Sequence, residues 1–175
     1  MATLAHPRRW SRRSLLGWLA ASALLTARAS TLPAPTGPVV LTIRGRIERR
    51  NQGSHAALDL AMLEALPQHH LLTRTPWDSE PVTFSGPRLR DVLDAVGAHG
   101  QRLRAVALDD YRVIIPLEDA QRYDVIVATR KNGARMSVRQ KGPLFIVYPF
   151  DHAPQLRDRR YYERSIWQLK ALEVE

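Results

Sequence analysis

Residues 103–148 read LRAVALDDYRVIIPLEDAQRYDVIVATRKNGARMSVRQKGPLFIVY, and their pattern decides the fold class. Leu103 to Leu108 and Tyr111 to Ile115 are strand-like runs on either side of Asp109-Asp110. Asp suits such a turn because its side chain bonds nearby backbone N–H groups. Pro116 opens a short helix through Arg122. Asp124 to Thr129 and Leu144 to Tyr148 are continuous apolar runs, the mark of buried strands, and Lys131-Asn132-Gly133 between them carries an Asn-Gly hairpin signal. Hairpins and short helices alternate irregularly, without the repeated crossovers of a doubly wound sheet. The expected class is α+β with mixed sheets and short helices.

Upstream, Phe84-Ser85-Gly86-Pro87 reads as a turn, with Pro87 suited to the first position of the next helix. In that helix Leu89, Val92, Leu93 and Val96 share one face, and Gly97 ends it. His70 to Arg74 is a short extended segment leading into Pro76-Trp77. Asp59 is placed to cap a helix from Leu60 to Leu66 that Pro67 stops. Asn51 to Ser54 is a turn, and Val39, Leu41, Ile43 and Ile47 mark a half-buried strand. Downstream, Asp151 to Tyr162 is a polar loop with a helical turn. Ile166 to Val174 is a final strand with Lys170, Leu172 and Val174 expected on one face.

Residues 1–29 are read as an export signal. A basic stretch (His6 to Arg13) precedes eleven mostly apolar residues (Leu15 to Leu25) and then Ala27-Arg28-Ala29, with cleavage expected near Ala29-Ser30. Ser11-Arg12-Arg13-Ser14-Leu15-Leu16 resembles a twin-arginine signal, with an ordinary secretory n-region as the alternative. The apolar run falls short of the roughly 20 residues that span a bilayer, so no stable span is expected after processing. A periplasmic location follows, with a Pro-rich leader at 30–38 and the domain at 39–175. The chain has 26 Lys and Arg against 17 Asp and Glu, a net charge of +9. Five of those arginines leave with the signal, giving +4, which gives little basis for nucleic-acid binding. There is no cysteine, so neither disulfides nor thiolate zinc sites can form.

Six histidines occur, none in a helical metal-pair motif, and the adjacent His69 and His70 face opposite ways in an extended segment. No metal site is expected. Neither a G-x-S-x-G elbow nor a phosphate-cradling glycine loop is present. Asp109-Asp110-Tyr111 has two readings, a carboxylate pair in a site or a plain strand turn, and turn chemistry favours the second. Arg130, Lys131, Arg135, Arg139 and Lys141 form a basic run that is solvated surface unless a pocket gathers it. In a pocket it would attract a phosphate or sulfonate. Trp77 follows Pro76 in a loop, where so large a ring must plug a core or line a pocket, whereas Trp167 reads as core.

Several short elements now fall in order: Leu66-Pro67, Thr75-Pro76-Trp77, Phe84-Ser85-Gly86 with Leu89 and Leu93, Asp110-Tyr111, Ile115-Pro116, and Asp124 with Val127-Ala128. Asn132-Gly133 with Met136, Lys141-Gly142-Pro143, Tyr148-Pro149 and Trp167-Gln168-Leu169 complete the series. Together they resemble the oxidoreductase molybdopterin-binding domain, the sulfite-oxidase fold, over residues 39–175. The resemblance implies a mixed α+β domain with a cleft for a pterin cofactor, and periplasmic relatives. In catalytic relatives the molybdenum-binding Cys lies about four residues before the Trp of this region, soft sulfur suiting a soft metal. Here the stretch is Thr73-Arg74-Thr75-Pro76-Trp77, so Thr73 stands near the ligand's place, and a neutral hydroxyl is a poor substitute for a thiolate. The chain is similar to a small, cysteine-free branch of that family.

Two functions are open. One is a non-catalytic exported sensor or accessory domain that binds a small anion, a pterin or a periplasmic partner protein, with Thr73, Trp77, Asp110, Tyr111, Arg139 and Lys141 as candidate lining. The other is an oxidoreductase that holds molybdopterin without a thiolate. The missing sulfur favours the first.

Overall fold

The computed structural model describes residues 1–2 and 32–175, and the expected export signal lies outside the described residues. The strands are β1 Val39–Gly45, β2 Ala56–Asp59, β3 Gln68–Thr73, β4 Val82–Pro87, β5 Arg102–Ala107, β6 Arg112–Pro116, β7 Ile126–Ala128, β8 Arg130–Lys131, β9 Ala134–Arg135, β10 Phe145–Val147 and β11 Leu169–Val174. Between them lie the short helices α1 Leu60–Glu64, α2 Leu89–Ala95, α3 Leu117–Arg122 and α4 Arg159–Arg164. One sheet runs β2-β1-β11-β5-β6, with β1 and β11 parallel and the other neighbours antiparallel. A second, antiparallel throughout, runs β3-β4-β8-β9, and β7 and β10 form a separate antiparallel ribbon. This is the mixed α+β arrangement expected from the interleaving of hairpins and short helices. No helix among the described residues is long and apolar enough to cross a membrane.

The β7–β10 ribbon explains the two continuous apolar runs. Val125, Val127, Leu144, Ile146 and Tyr148 face the main core, which lies on the five-stranded sheet. Ile126, Ala128, Phe145 and Val147 face a smaller core with Leu71, Val82 and Phe84 from β3 and β4. A strand buried on both faces has no polar alternation, so period-2 reasoning sees only an apolar block. The ribbon's edges are bonded as well: the Leu89 N–H donates to the Val125 carbonyl at 2.8 Å, and the Ile146 N–H to the Ile166 carbonyl at 3.0 Å. The Asn132-Gly133 turn takes positive φ at both residues (49° and 79°), the geometry that favours this pair in tight hairpins, and sets Arg130 opposite Arg135.

Four local expectations are corrected. Phe84-Ser85-Gly86-Pro87 is the buried end of β4, not a turn, and α2 starts after Arg88 rather than at Pro87. Glycine is needed at position 86 because β7 passes so close that a Cβ would collide with the Val127 carbonyl oxygen. Ala56–Asp59 is a fully buried strand that small residues before a capping Asp did not reveal. Helix α1 ends at Glu64, two residues short of Leu66. A register shift between Leu169 and Ala171 separates Lys170 from the buried Leu172 and Val174, and Lys170 reaches Asp110 at 2.8 Å.

Two buried carboxylates, Asp119 and Asp59, are engaged in hydrogen bonds. The Tyr148 hydroxyl donates to Asp119 at 2.7 Å, and the Arg164 guanidinium donates to the same carboxylate oxygen at 2.8 Å. Burial, and then the Asp119 carboxylate, push the ionisation of Tyr148 far above the phenol range. Asp59 caps α1 by accepting the Met62 N–H at 2.8 Å, and its other oxygen accepts the Thr36 and Gly37 N–H groups, each at 2.8 Å, which ties the leader to the domain.

Tyr148→Phe removes one hydrogen bond to a charged group without changing the ring, so it is expected to cost about 1.5–3 kcal/mol in urea denaturation. The hydrogen bonds from Met62, Gly37 and Thr36 hold the Asp59 carboxyl below its ordinary pKa. Its folded-state pKa is therefore the lower one. The ionised group stabilises the fold above the unfolded Asp pKa of about 3.9, and this contribution is lost as pH falls through the folded value. Urea midpoints measured from neutral pH down through that window should fall less steeply in Asp59→Asn than in the parent.

Candidate functional site

The site region begins where β3 ends. Thr73 is completely buried, and its hydroxyl accepts the Asp151 N–H at 3.2 Å. The Asp151 carboxylate in turn accepts the Arg74 N–H at 2.7 Å and the Arg157 guanidinium at 2.8 Å. Thr73 therefore clips the end of β3 to the turn after β10 and lines neither of the two grooves described below.

The following loop is pinned by Asp78, which accepts from the Thr75 hydroxyl at 2.5 Å and the Lys131 ammonium at 2.6 Å. Burial pushes the Asp78 carboxyl up, but these two donors outweigh it and hold the group below its ordinary value. The loop thereby fixes Trp77 edge-to-face against Trp167, with ring centroids 4.9 Å apart and an interplanar angle of 90°. Trp167 is itself held by its bridge to Phe145 on the ribbon. Trp77 remains 39% exposed.

Lys141 stands over this cluster. Its ammonium lies 4.8 Å from the Trp77 ring centroid, 5.4 Å from Trp167 and 5.9 Å from Phe145. Ring faces attract a cation, more strongly when it is partly desolvated. Burial lowers the pKa of Lys141 and the Lys131 charge adds to that, while the Asp78 carboxylate opposes both. The backbone is specialised here too. Lys141 and Gln168 both have positive φ (72° and 52°), a costly conformation for residues with a Cβ. The two are tied together: the Gln168 N–H donates to the Lys141 carbonyl at 3.0 Å, and its side-chain amide to the Val138 carbonyl at 2.8 Å.

Two grooves lie near Lys141, which lines one of them and rests on the Trp77 and Trp167 rings that line the other. The first, of 330 Å³, is walled by Trp77, Tyr111, Tyr162 and Trp167 with Asp109 and Glu163, and no Lys or Arg lines it. The second, of 340 Å³, is lined by Lys131, Arg135, Arg139 and Lys141 together with Met136 and neighbouring polar residues, and no carboxylate lines it. Lys131 pairs with Asp78, and Arg135 pairs with Glu64 at 3.0 Å. Arg139 and Lys141 have no carboxylate partner among the described residues.

Of the six residues expected to line a site, Trp77 and Tyr111 meet in the aromatic groove, and Arg139 and Lys141 meet in the basic one. Thr73 is buried away from both. Asp110 sits at the β5–β6 turn with φ 67°, its carboxylate on Lys170, whose hydrogen bond and charge hold it below its ordinary pKa. Sequence reasoning missed Tyr162 and Glu163. They lie on α4, inside a polar stretch with no apolar periodicity to mark a helix.

A thiolate-held molybdenum does not fit these residues. The chain has no cysteine, and the side chain at the position implied for the ligand is buried with its hydroxyl engaged. No group of three His, Asp or Glu that could hold a metal forms among the described residues.

No curated protein matches the sequence. The structure is similar to that of the sulfane dehydrogenase SoxCD from Paracoccus pantotrophus, with a TM-score of 0.58, 16% identity and 77% of this chain covered. This chain spans 37% of the length of that one, and the likeness is one of fold. The profile of the oxidoreductase molybdopterin binding domain matches residues 63–152, just over half of the chain. The match runs from α1 to the turn beyond β10 and takes in Thr73, Trp77, the Asn-Gly hairpin and Lys141. By that match, and with the fold in agreement, the chain belongs to the oxidoreductase molybdopterin binding domain family.

Proposed function

We propose that this chain is an exported, non-catalytic member of its family that binds a small anion in the basic groove and serves as a sensor or accessory protein for a periplasmic partner. The observation that carries the non-catalytic part is the absence of cysteine combined with the burial of Thr73. That hydroxyl is committed to the Asp151 N–H, so the position gives a metal neither a soft donor nor access. The export part rests on the pattern of residues 1–29.

The anion reading is supported by Arg139 and Lys141, two cations without carboxylate partners among the described residues, lining one groove with Lys131 and Arg135. A guanidinium fork matches phosphate, sulfonate or carboxylate oxygens, and Lys141 adds a point charge already partly stripped of water by its aromatic surroundings. A pterin carrying a phosphate fits the same chemistry, so molybdopterin, or its organic part alone, is one ligand to test.

Two measurements test the proposal. Protein purified from its native envelope should carry molybdenum far below one atom per chain. Near-stoichiometric metal would sink the non-catalytic reading and favour an oxidoreductase that holds its cofactor without a thiolate. Calorimetric titration with inorganic phosphate, sulfate and a pterin phosphate should show saturable binding that weakens with salt. Arg139→Gln and Lys141→Met should each weaken it about tenfold, the loss of one charge-assisted hydrogen bond. No saturable binding of any of the three would remove the anion site.

A further inference from the structure

The aromatic groove beside the basic one has the opposite character. Its walls are four aromatic rings, its charged residues are Asp109 and Glu163, and no cationic side chain lines it. Asp109 has no Lys or Arg partner among the described residues, and one of its oxygens accepts the Tyr111 N–H at 3.1 Å. Glu163 pairs with Arg159, whose side chain is 90% exposed, so that pair is weak and easily displaced.

The walls are set from outside the groove. Trp77 is fixed by the Asp78 loop and by Trp167. Tyr162 packs edge-on against Phe150 with centroids 5.4 Å apart. Tyr111 follows the left-handed turn at Asp110, which Lys170 anchors. Trp77 and Tyr111 nevertheless stay 39% and 48% exposed, which leaves aromatic surface in water. The volume of 330 Å³ is at the small end of ligand pockets.

We infer that this groove is a second binding site, for a small organic ammonium ion. Ring faces carry negative charge density that attracts a cation, and the two carboxylates add net negative charge. A hard metal ion needs a cage of oxygens, which two carboxylates among four rings do not supply. An alkylated ammonium suits the site better, because its carbon shell buries against the rings while its charge is met by the faces and the carboxylates. Lys141 shows that the same rings hold an ammonium: its own nitrogen rests on Trp77 and Trp167, yet it lines the basic groove and not this one. Lys141 therefore links the two sites, lining one while its ammonium lies 4.8 Å from the centroid of the Trp77 ring of the other. A cation in the aromatic groove is repelled by Lys141, so removing that charge acts oppositely on the two ligands.

The test compares choline with 3,3-dimethylbutanol, its neutral isostere, titrated into the purified protein and followed by calorimetry and tryptophan fluorescence. Saturable choline binding, with the neutral isostere at least tenfold weaker, is expected. Asp109→Asn combined with Glu163→Gln should weaken choline binding at least fivefold. Both substitutions are on exposed residues, and unchanged circular dichroism and urea midpoint confirm an intact fold. Lys141→Met should tighten choline binding while it weakens phosphate binding. Equal affinity for the neutral isostere, no saturable choline binding by the folded protein, or indifference to the carboxylate double variant would each overturn the inference.

Discussion

The β7–β10 ribbon has no solvent face, and the rest of the molecule is arranged around that constraint. Alternate residues of each strand face two different cores, and its edges are hydrogen-bonded to the segments at Leu89 and Ile166. Phe145 in the ribbon packs edge-to-face on Phe84 behind it and bridges to Trp167 beside it. The position of the Trp167 ring, and hence of Trp77 and Lys141, is thus set by a strand deep in the fold. A site built on such support is held more rigidly than one on a free loop.

The resemblance to catalytic relatives implies a metal-binding cysteine, and this chain has none. Where a thiolate is expected, Thr73 makes a buried backbone clip, a structural use of the position that needs no metal. Around it the architecture persists: the cleft region, the hairpin and the aromatic cluster are all present. The charge is divided between a basic groove and an acidic aromatic groove, with Lys141 lining the first and resting on rings of the second. Fold and chemistry make separate demands at this position, because packing tolerates Thr in place of Cys and a soft metal prefers the thiolate.

Much of the fold was legible because local physics and tertiary structure agree in those places. The Asn132-Gly133 turn, the helix of Leu89, Val92 and Leu93, the Asp59 cap and the Asp109-Asp110 hairpin follow from turn chemistry, periodicity and capping. The failures share one cause. Phe84–Pro87 was taken for a turn because Gly and Pro usually punctuate strands, but here Gly86 lets β7 approach β4 closely, and that approach is tertiary. Residues 56–58 were overlooked because two small residues and one Leu carry little hydrophobic signal, though they are completely enclosed. In the site, Trp77 is marked in the sequence as a large ring in a loop and Lys141 as part of a basic run, whereas Tyr162 and Glu163 lie hidden in a polar helix.

The sequence by itself determined the α+β class, the absence of any thiolate ligand and the presence of a basic run, since these depend on residue type and spacing along the chain. Only the tertiary structure decided that Thr73 points into the interior, that Lys141 rests on three rings, and that two grooves of opposite charge lie near it. Those facts depend on which distant segments pack together, and packing brings Trp77, Tyr111, Lys141 and Trp167 together from four separate elements that no local signal connects.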